Sequence, residues 1–462
     1  MEKRCLDRRT FVMGAAALGA TALAGGALGG CAAEEPAAVG PAAPEPAAEA
    51  LSYDSMFPPH EPLGRGIGAM PGRVAWVRDG AAVNWDGSGY WWQREHFDED
   101  VVRRMVPDGI AATAGADDVA AGWRALFEAH NARRGREGGY LPGQKIAVKA
   151  NMNGAGTNGS DEDSAMSYTT PVLLRALLLS LVEDAGAAPD DITVYDVCRI
   201  FPRHMMELCS EGALAGVRFR YNDAGGQNDA AGDEDAPIAW SANVAGDANV
   251  VPRCVSEADY LVNLASLKGH SYGLTLSAKN HFGSLVNSSR TRPPEAAGIH
   301  RYASGQVMGM YTVLVDLLAN ANLGGKTVLW MLDGLVPASS EGASVTPEAA
   351  RWEGSPFDGG FCASVLFSQD PVALDSVGAD LLINQPAVTS RNAALAGNLG
   401  VENYLHEAAL ADAAPSGTAY FDGAGNPAAS LGVHEHWNNA TERLYSRDRG
   451  ESEGIELVRI LR

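Results

Sequence analysis

Positive charge and cysteine are both scarce in this chain. Lysine and arginine together number 35 against 57 aspartates and glutamates, a formal net charge of −22. An excess of that sign repels phosphate backbones and anionic headgroups, so neither nucleic acid nor a charged membrane surface is expected as a partner. Cysteine occurs six times. No pair has Cys-x-x-Cys spacing, which argues against an iron–sulfur or zinc site built from cysteines alone. Cys198, Cys209, Cys254 and Cys362 are expected to pack as small hydrophobes, with a disulfide left open. A Gly-x-x-x-x-Gly-Lys-Ser/Thr run is missing too, which excludes a P-loop enzyme; a Rossmann dehydrogenase and an α/β-hydrolase are not expected either. Hydrophobic residues reach 46%, enough for a sizeable core.

The first 62 residues read as an address and a tether. Met1 to Thr10 is basic and leads into Arg8-Arg9-Thr10-Phe11. An Ala/Gly-rich stretch follows from Val12 and ends at Leu28-Gly29-Gly30-Cys31. A charged start, a short apolar middle and a small-residue cleavage site describe a secretory signal. The apolar stretch is too short and too rich in Ala and Gly for a stable transmembrane helix. Arg8 and Arg9 before Phe11 resemble the twin-arginine signal, and the run into Cys31 resembles a lipobox in which Cys31 carries the lipid. Residues 1–31 are thus expected to be a signal, and residues 32–62, dominated by Ala, Pro and Glu, a flexible tether. The expected location is the extracytoplasmic face of the membrane, held there by the lipid anchor alone.

Beyond residue 63, strand-like and helix-like runs alternate. Strands are expected at Arg73–Val77, Lys145–Lys149, Ile192–Tyr195, Tyr260–Leu264, Thr327–Leu332 and Ser364–Phe367. Helices are expected at Asp98–Met105, Asp117–Arg134, Thr170–Glu183, Gln306–Asn322 and Pro371–Ile383. That alternation predicts an α/β fold, a largely parallel sheet with helices on both faces. The core domain is expected to span residues 63–384. Residues 385–462 show little pattern beyond a helix near Tyr404–Ala411 and are expected to form an irregular C-terminal wrap.

Chemistry is expected where strands end. In a parallel sheet the carboxyl ends of the strands share one edge, and loops leaving them converge on one crevice. Such ends carry Lys149, Asn151 and Asn153; Asp196, Cys198 and Arg199; Asp333; and Asp370. Taken singly, Asp196 and Asp370 read equally as helix caps, and the asparagines as turn residues. The run from Lys268 to Gly283 is harder to explain structurally. It sets Lys268, His270, Lys279, Asn280 and His281 among small residues, and it is neither a helix face nor a core stripe. Its alternative is a solvated loop with hydrogen-bonded histidines. His300 follows later and, alone, reads as structural. His434-x-His436 could chelate a metal on a strand, where alternate side chains share a face. A packed, hydrogen-bonded closing segment is the favoured reading there.

Two resemblances follow. Ala258-Asp259-Tyr260-Leu261-Val262-Asn263-Leu264, the run from Lys268 to Gly283, Leu332-Asp333-Gly334-Leu335 and Gln369-Asp370-Pro371-Val372-Ala373-Leu374-Asp375 resemble the bacterial family called domain of unknown function 362, from about residue 72 onward. That resemblance implies a strand-and-helix domain, and no activity. The order Asp259, His270, Gly273, Lys279, His300 is also similar to that of lactate racemase and its relatives, which bind a nickel-pincer nucleotide. This implies His270 as the acid/base, Lys279 as cofactor anchor and His300 as metal ligand. The chain departs from that pattern twice: Cys198 precedes Arg199 where those enzymes have a second histidine, and Asn280-His281-Phe282 replaces a Leu-Pro-type sequence.

Two functions are consistent with these residues. One is an exported enzyme with a small anionic or metal-containing cofactor in a Lys/His-lined crevice. There Lys149, Lys268 and Lys279 balance its charge, Asn151, Asn153, Arg199 and Asn280 bind it, His270, Lys279 and Lys268 are catalytic, and His300 and His281 are the candidate metal ligands. The other is a tethered binding protein that captures an anionic solute without transforming it.

Overall fold

The computed structural model describes residues 57–462 except 156–163, 224, 245–247, 272, 288–298, 304–306, 397 and 440. Arg8, Arg9, Cys31 and most of the expected tether lie outside the described residues.

The main sheet has nine strands. In chain order they are β1 (Arg73–Arg78), β2 (Ile146–Ala150), β3 (Ile192–Asp196), β4 (Arg218–Tyr221), β5 (Tyr260–His270), β6 (Gly273–Thr275), β7 (Thr327–Ala338), β8 (Ser364–Ser368) and β9 (Glu456–Leu461). Across the sheet the order is β9-β1-β8-β7-β5-β2-β3-β4, with β6 folded back on β5 as a hairpin. Neighbours are parallel except at β8, which runs antiparallel to both β7 and β1, and at the β6 hairpin. The fold is α/β.

Alternation along the strands divides the core in two. Trp76, Leu261, Leu332 and Leu366 face one side, and Val77, Val262, Met331 and Val365 the other. The second side is covered by α1 (Glu99–Ala114), α2 (Val119–Arg133) and α3 (Pro171–Glu183). The acids Asp98 and Asp118 cap α1 and α2 by accepting from Val101 N and Ala121 N. The first side is covered by α5 (Val313–Ala319), α6 (Pro371–Ile383) and α7 (Leu399–Ala409), which follow the short α4 (Ser277–Asn280). α6 starts where predicted, with Pro371 in its first turn and the Asp370 carboxylate accepting from Val372 N and Ala373 N.

Three expectations need correction. β5 and β7 run on to His270 and Ala338, well past the predicted ends at Leu264 and Leu332, and are buried along their whole length. A strand covered on both faces has no polar alternation to mark its end. The predicted helix Gln306–Asn322 shrinks to α5, capped by the Thr312 side chain. Part of residues 385–462 does wrap the body, but the segment ends in β9, a regular edge strand parallel to β1.

Cys198, Cys209, Cys254 and Cys362 are all free thiols. Among the described residues no helix is long and apolar enough to cross a membrane.

Candidate functional site at the carboxyl edge of the sheet

β5 carries Asn263, Lys268 and His270 through the buried sheet to its carboxyl edge. The chain then turns back into β6, with His270 opposite Gly273 and Lys268 opposite Thr275. Gly273 has φ +123°, a conformation that side chains disfavour, so glycine closes this hairpin. α4 comes next. Asp375 of α6 accepts from Ser277 N at 2.9 Å and from Ala278 N at 3.3 Å, which fixes the turn bearing Lys279 and Asn280.

Asn280 joins β2 to β5. Its Oδ1 accepts from Lys149 Nζ and from Asn151 Nδ2, each at 3.1 Å, and its Nδ2 donates to Asn263 Oδ1 at 2.8 Å. Lys149 is wholly buried and pairs with Asp196 Oδ2 at 2.8 Å. A Cβ on Gly283 would stand 2.6 Å from that carboxylate oxygen and 2.7 Å from Lys149 Nζ, so the absence of a side chain lets the turn lie over the pair. Lys268 is equally buried. It donates to Asn151 Oδ1 at 3.1 Å and to Ser167 O at 2.9 Å, with no ion pair among the described residues. Burial lowers its pKa to about 7.

Above this network opens a narrow cleft of about 60 Å³, open to solvent on one side and lined by Asn151, Asn153, His270, Lys279, Asn280 and His300. The rings of His270 and His300 stack at 5.7 Å and 20°. Lys279 Nζ lies 4.1 Å from the centre of the Phe282 ring, and that ring meets His300 edge-on at 5.0 Å. Burial, and then the Lys279 charge, keep both imidazoles neutral: the pKa of His300 falls to about 3 and that of His270 falls further. Glu341 Oε1, 3.7 Å from His270 Nδ1, does not reverse this. Beside the cleft a tight apolar recess of about 20 Å³ shares Lys279 and is walled by Leu274, Leu276, Leu314, Val401 and Tyr404. The arrangement can hold an anionic group against Lys279 and the asparagine amides, and it presents a neutral imidazole to it as a proton acceptor.

The other expected site residues lie elsewhere. Lys149 is paired with Asp196, which with Cys198 also lines the cleft, so the net positive charge facing the cleft comes from Lys279, with Lys268 behind Asn151. Arg199 does not line the cleft; its Nε donates to Asn153 O at 3.2 Å and ties two loops together. His281 points away as well. Wholly buried, it bonds Asn263 Nδ2 at 3.1 Å and Ser284 Oγ at 3.2 Å, and its ring meets Trp330 at 5.5 Å. It is a core histidine, not a ligand in the cleft. Asp333 sits inside β7 and accepts from Thr170 N at 2.7 Å. Asp370 is at the opposite edge, because β8 runs against its neighbours and Ser368 pairs with Trp330 and Val74 near their strands' beginnings. Asp259 is also at that far edge, accepting from Lys145 N at 2.8 Å.

Sequence reading passed over several features. Thr275 and Phe282 line the cleft. Gly269-His270-Ser271-Tyr272-Gly273 has the spacing of a hydrolase nucleophile elbow, but it forms a β-hairpin rather than a strand-to-helix turn, and Ser271 Oγ donates to Glu341. Gly154-Ala155-Gly156-Thr157-Asn158-Gly159 follows β2 with dinucleotide-binding spacing; its last residues lie outside the described part, and α3 begins only at Pro171. A second cluster, His60 with Glu402, His434 and His436, lies outside the cleft. His60 falls within the expected tether, and no local pattern links it to partners so far away in the chain.

A family model described as "Domain of unknown function (DUF362)" matches residues 146–380, the span from β2 to the end of α6 that builds the cleft. No curated protein matches the chain.

Proposed function

The chain belongs to the DUF362 family, and because that description carries no activity, we propose the function from the cleft itself: an exported, lipid-anchored enzyme that performs acid–base chemistry on a small anionic ligand or cofactor. One observation carries this reading. Lys279 and two desolvated imidazoles, His270 and His300, line a single cleft whose floor is a closed network of buried amides and lysines. An anion against Lys279 offsets the charge that disfavours imidazolium, so binding itself makes His270 a better proton acceptor. The neighbouring recess is apolar but small, so it suits an acidic head with no more than a short apolar arm. The Arg8-Arg9 and Cys31 features support export and anchoring.

The lactate racemase resemblance supplies a finer version. Of the residues that carry it, His270, Lys279 and His300 line the same cleft while Asp259 lies at the far edge; a nickel-pincer nucleotide held there would meet Lys279 and the His300 imidazole. Cys198 stands at the place of the second histidine, which leaves His270 as the proton-transfer group. The test is to incubate the protein with a panel of small carboxylates and phosphates, with and without an apolar arm, in heavy water. Binding is followed by thermal shift and carbon-bound exchange or turnover by NMR. His270→Ala is expected to keep affinity and lose exchange, and Lys279→Met to lose affinity. Tight binding without exchange or turnover by the unaltered protein would make it a binding protein instead.

A further inference from the structure

Away from the cleft, imidazoles from distant parts of the chain surround one carboxylate. His60 precedes the short strand Leu63–Gly64, which pairs with Val433–His434 in register, Leu63 opposite His434. His436 follows two residues on, and Glu402 comes from α7. One ligand atom from each of the four lies within 4.8 Å of the others.

The hydrogen bonds behind the rings fix which nitrogens are bare. His60 Nδ1 lies 2.7 Å from Glu61 O. A carbonyl can only accept, so Nδ1 carries the hydrogen and Nε2 of the neutral ring presents its lone pair. Ser376 Oγ donates its single hydrogen to Val372 O at 2.7 Å, so it must accept from His434 Nδ1 at 2.9 Å. His434 Nε2 is then bare as well. These two nitrogens face each other at 3.3 Å. His436 Nδ1 lies 2.6 Å from Asp380 Oδ1, which turns its Nε2 toward Glu402 Oε2 at 2.9 Å. The other Asp380 oxygen accepts from Tyr445 OH at 2.8 Å and Trp437 N at 3.1 Å, and so is held in place. Glu402 Oε1 is 3.6 Å from His434 Nε2 and 4.0 Å from His60 Nε2. The bare Nε2 atoms of His60 and His434 repel unless a cation lies between them, and beside them the Glu402 carboxylate takes His436 Nε2 and His406 Nε2, each at 2.9 Å. Four ligands at tetrahedral zinc distances would be separated by about 3.3 Å. The outer bonds from Ser376 and Asp380 are those that orient metal-binding histidines.

We infer that His60, His434, His436 and Glu402 form a site for a divalent transition ion of the zinc class. Three imidazoles and a carboxylate fill a tetrahedral shell, which marks the site as structural. The ion fastens the segment before β1 to α7 and to the strand at His434. α7 also supplies Val401 and Tyr404 to the apolar recess, so the same ion holds that wall. His60 and Glu402 retain 25% and 12% of their side-chain exposure while His434 and His436 have none, which gives the ion one side of entry.

The test uses the full-length chain, freed of metal by chelation and checked for native circular dichroism. Cobalt(II) is expected to bind one to one with the intense visible bands of a tetrahedral site, and zinc to displace it. Ser376→Ala, which removes only an orienting bond, is expected to weaken cobalt binding roughly 10-fold. His60→Ala, on the exposed side and least disruptive to folding, is expected to weaken it further and to remove the tetrahedral bands. Should His60→Ala fail to fold, Glu402→Gln reads the same loss. The inference is overturned by the absence of one-to-one binding, or by cobalt bands that survive both His60→Ala and Glu402→Gln.

Discussion

The cleft and the His/Glu cluster use the same side chain in opposite surroundings. In the cleft, His270 and His300 are desolvated next to Lys279, with Lys268 close behind. In the cluster, His434 and His436 are more deeply buried but face Glu402 and Asp380. Cations make an imidazole a neutral proton acceptor open to an anion. Carboxylates and an orienting hydroxyl make it a fixed donor aimed at a cation. α6 serves both. Asp375 holds the α4 amides that place Lys279, while Ser376 and Asp380 hold the histidines of the cluster. Tyr404 of α7 donates to Asp375 at 3.0 Å and closes the bridge between them.

The comparison breaks most severely at Lys149. Lys149→Met leaves Asp196 buried without its cation, and unfolding by urea is expected to show a loss of about 3–5 kcal/mol. The cleft should then fail as a structure rather than as a chemical site. A smaller effect sharpens the cationic side. Lys268 has a pKa near 7 in the folded protein against an ordinary 10.5. Between those values the unfolded chain holds a proton that the folded protein has released. Stability therefore rises with pH across that window, by at most about 1.4 kcal/mol per pH unit, and is lost as pH falls toward 7. Lys268→Met is expected to flatten that slope in urea titrations run across the window; an unchanged slope would show that Lys268 stays charged. The smallest effect is local. Lys279→Met removes a charge facing both cleft imidazoles, so NMR titration of the His270 and His300 ring protons should show both pKa values moving up, with little change in stability.

How much of this was legible in the sequence depended on the distance between partners. Pro371–Ile383 was read to the residue because its start signal, Asp370 then Pro371, is local. Lys268 and His270 stand out because two lysines and two histidines among small residues are conspicuous, yet that pattern reads as a loop. The Lys268 ammonium bonds Asn151 and Ser167, far away in the sequence, and these bonds allow a charged residue to lie inside a strand. The direction of β8 was not legible either. Nothing in Ser364–Ser368 says which way it runs, and that direction alone removes Asp370 from the cleft. His60 was hidden by composition. A segment of Ala, Pro and Glu reads as tether, and the partner that gives His60 its meaning, His434, lies 374 residues away.

The position of β1 has a consequence for the order of assembly. This strand is made early, but its two neighbours are residues 364–368 and 456–461. At roughly 5–20 residues per second, ribosomes take some tens of seconds to supply the second of them. Through that interval Val74, Trp76 and Val77, all buried in the finished sheet, lack their strand partners. Closing so long a loop is slow, and exposed apolar strands invite chaperones. A chain interrupted before Glu456 leaves one side of β1 bare. If folding precedes export, as the twin-arginine reading requires, the docking of β9 marks a chain ready to leave.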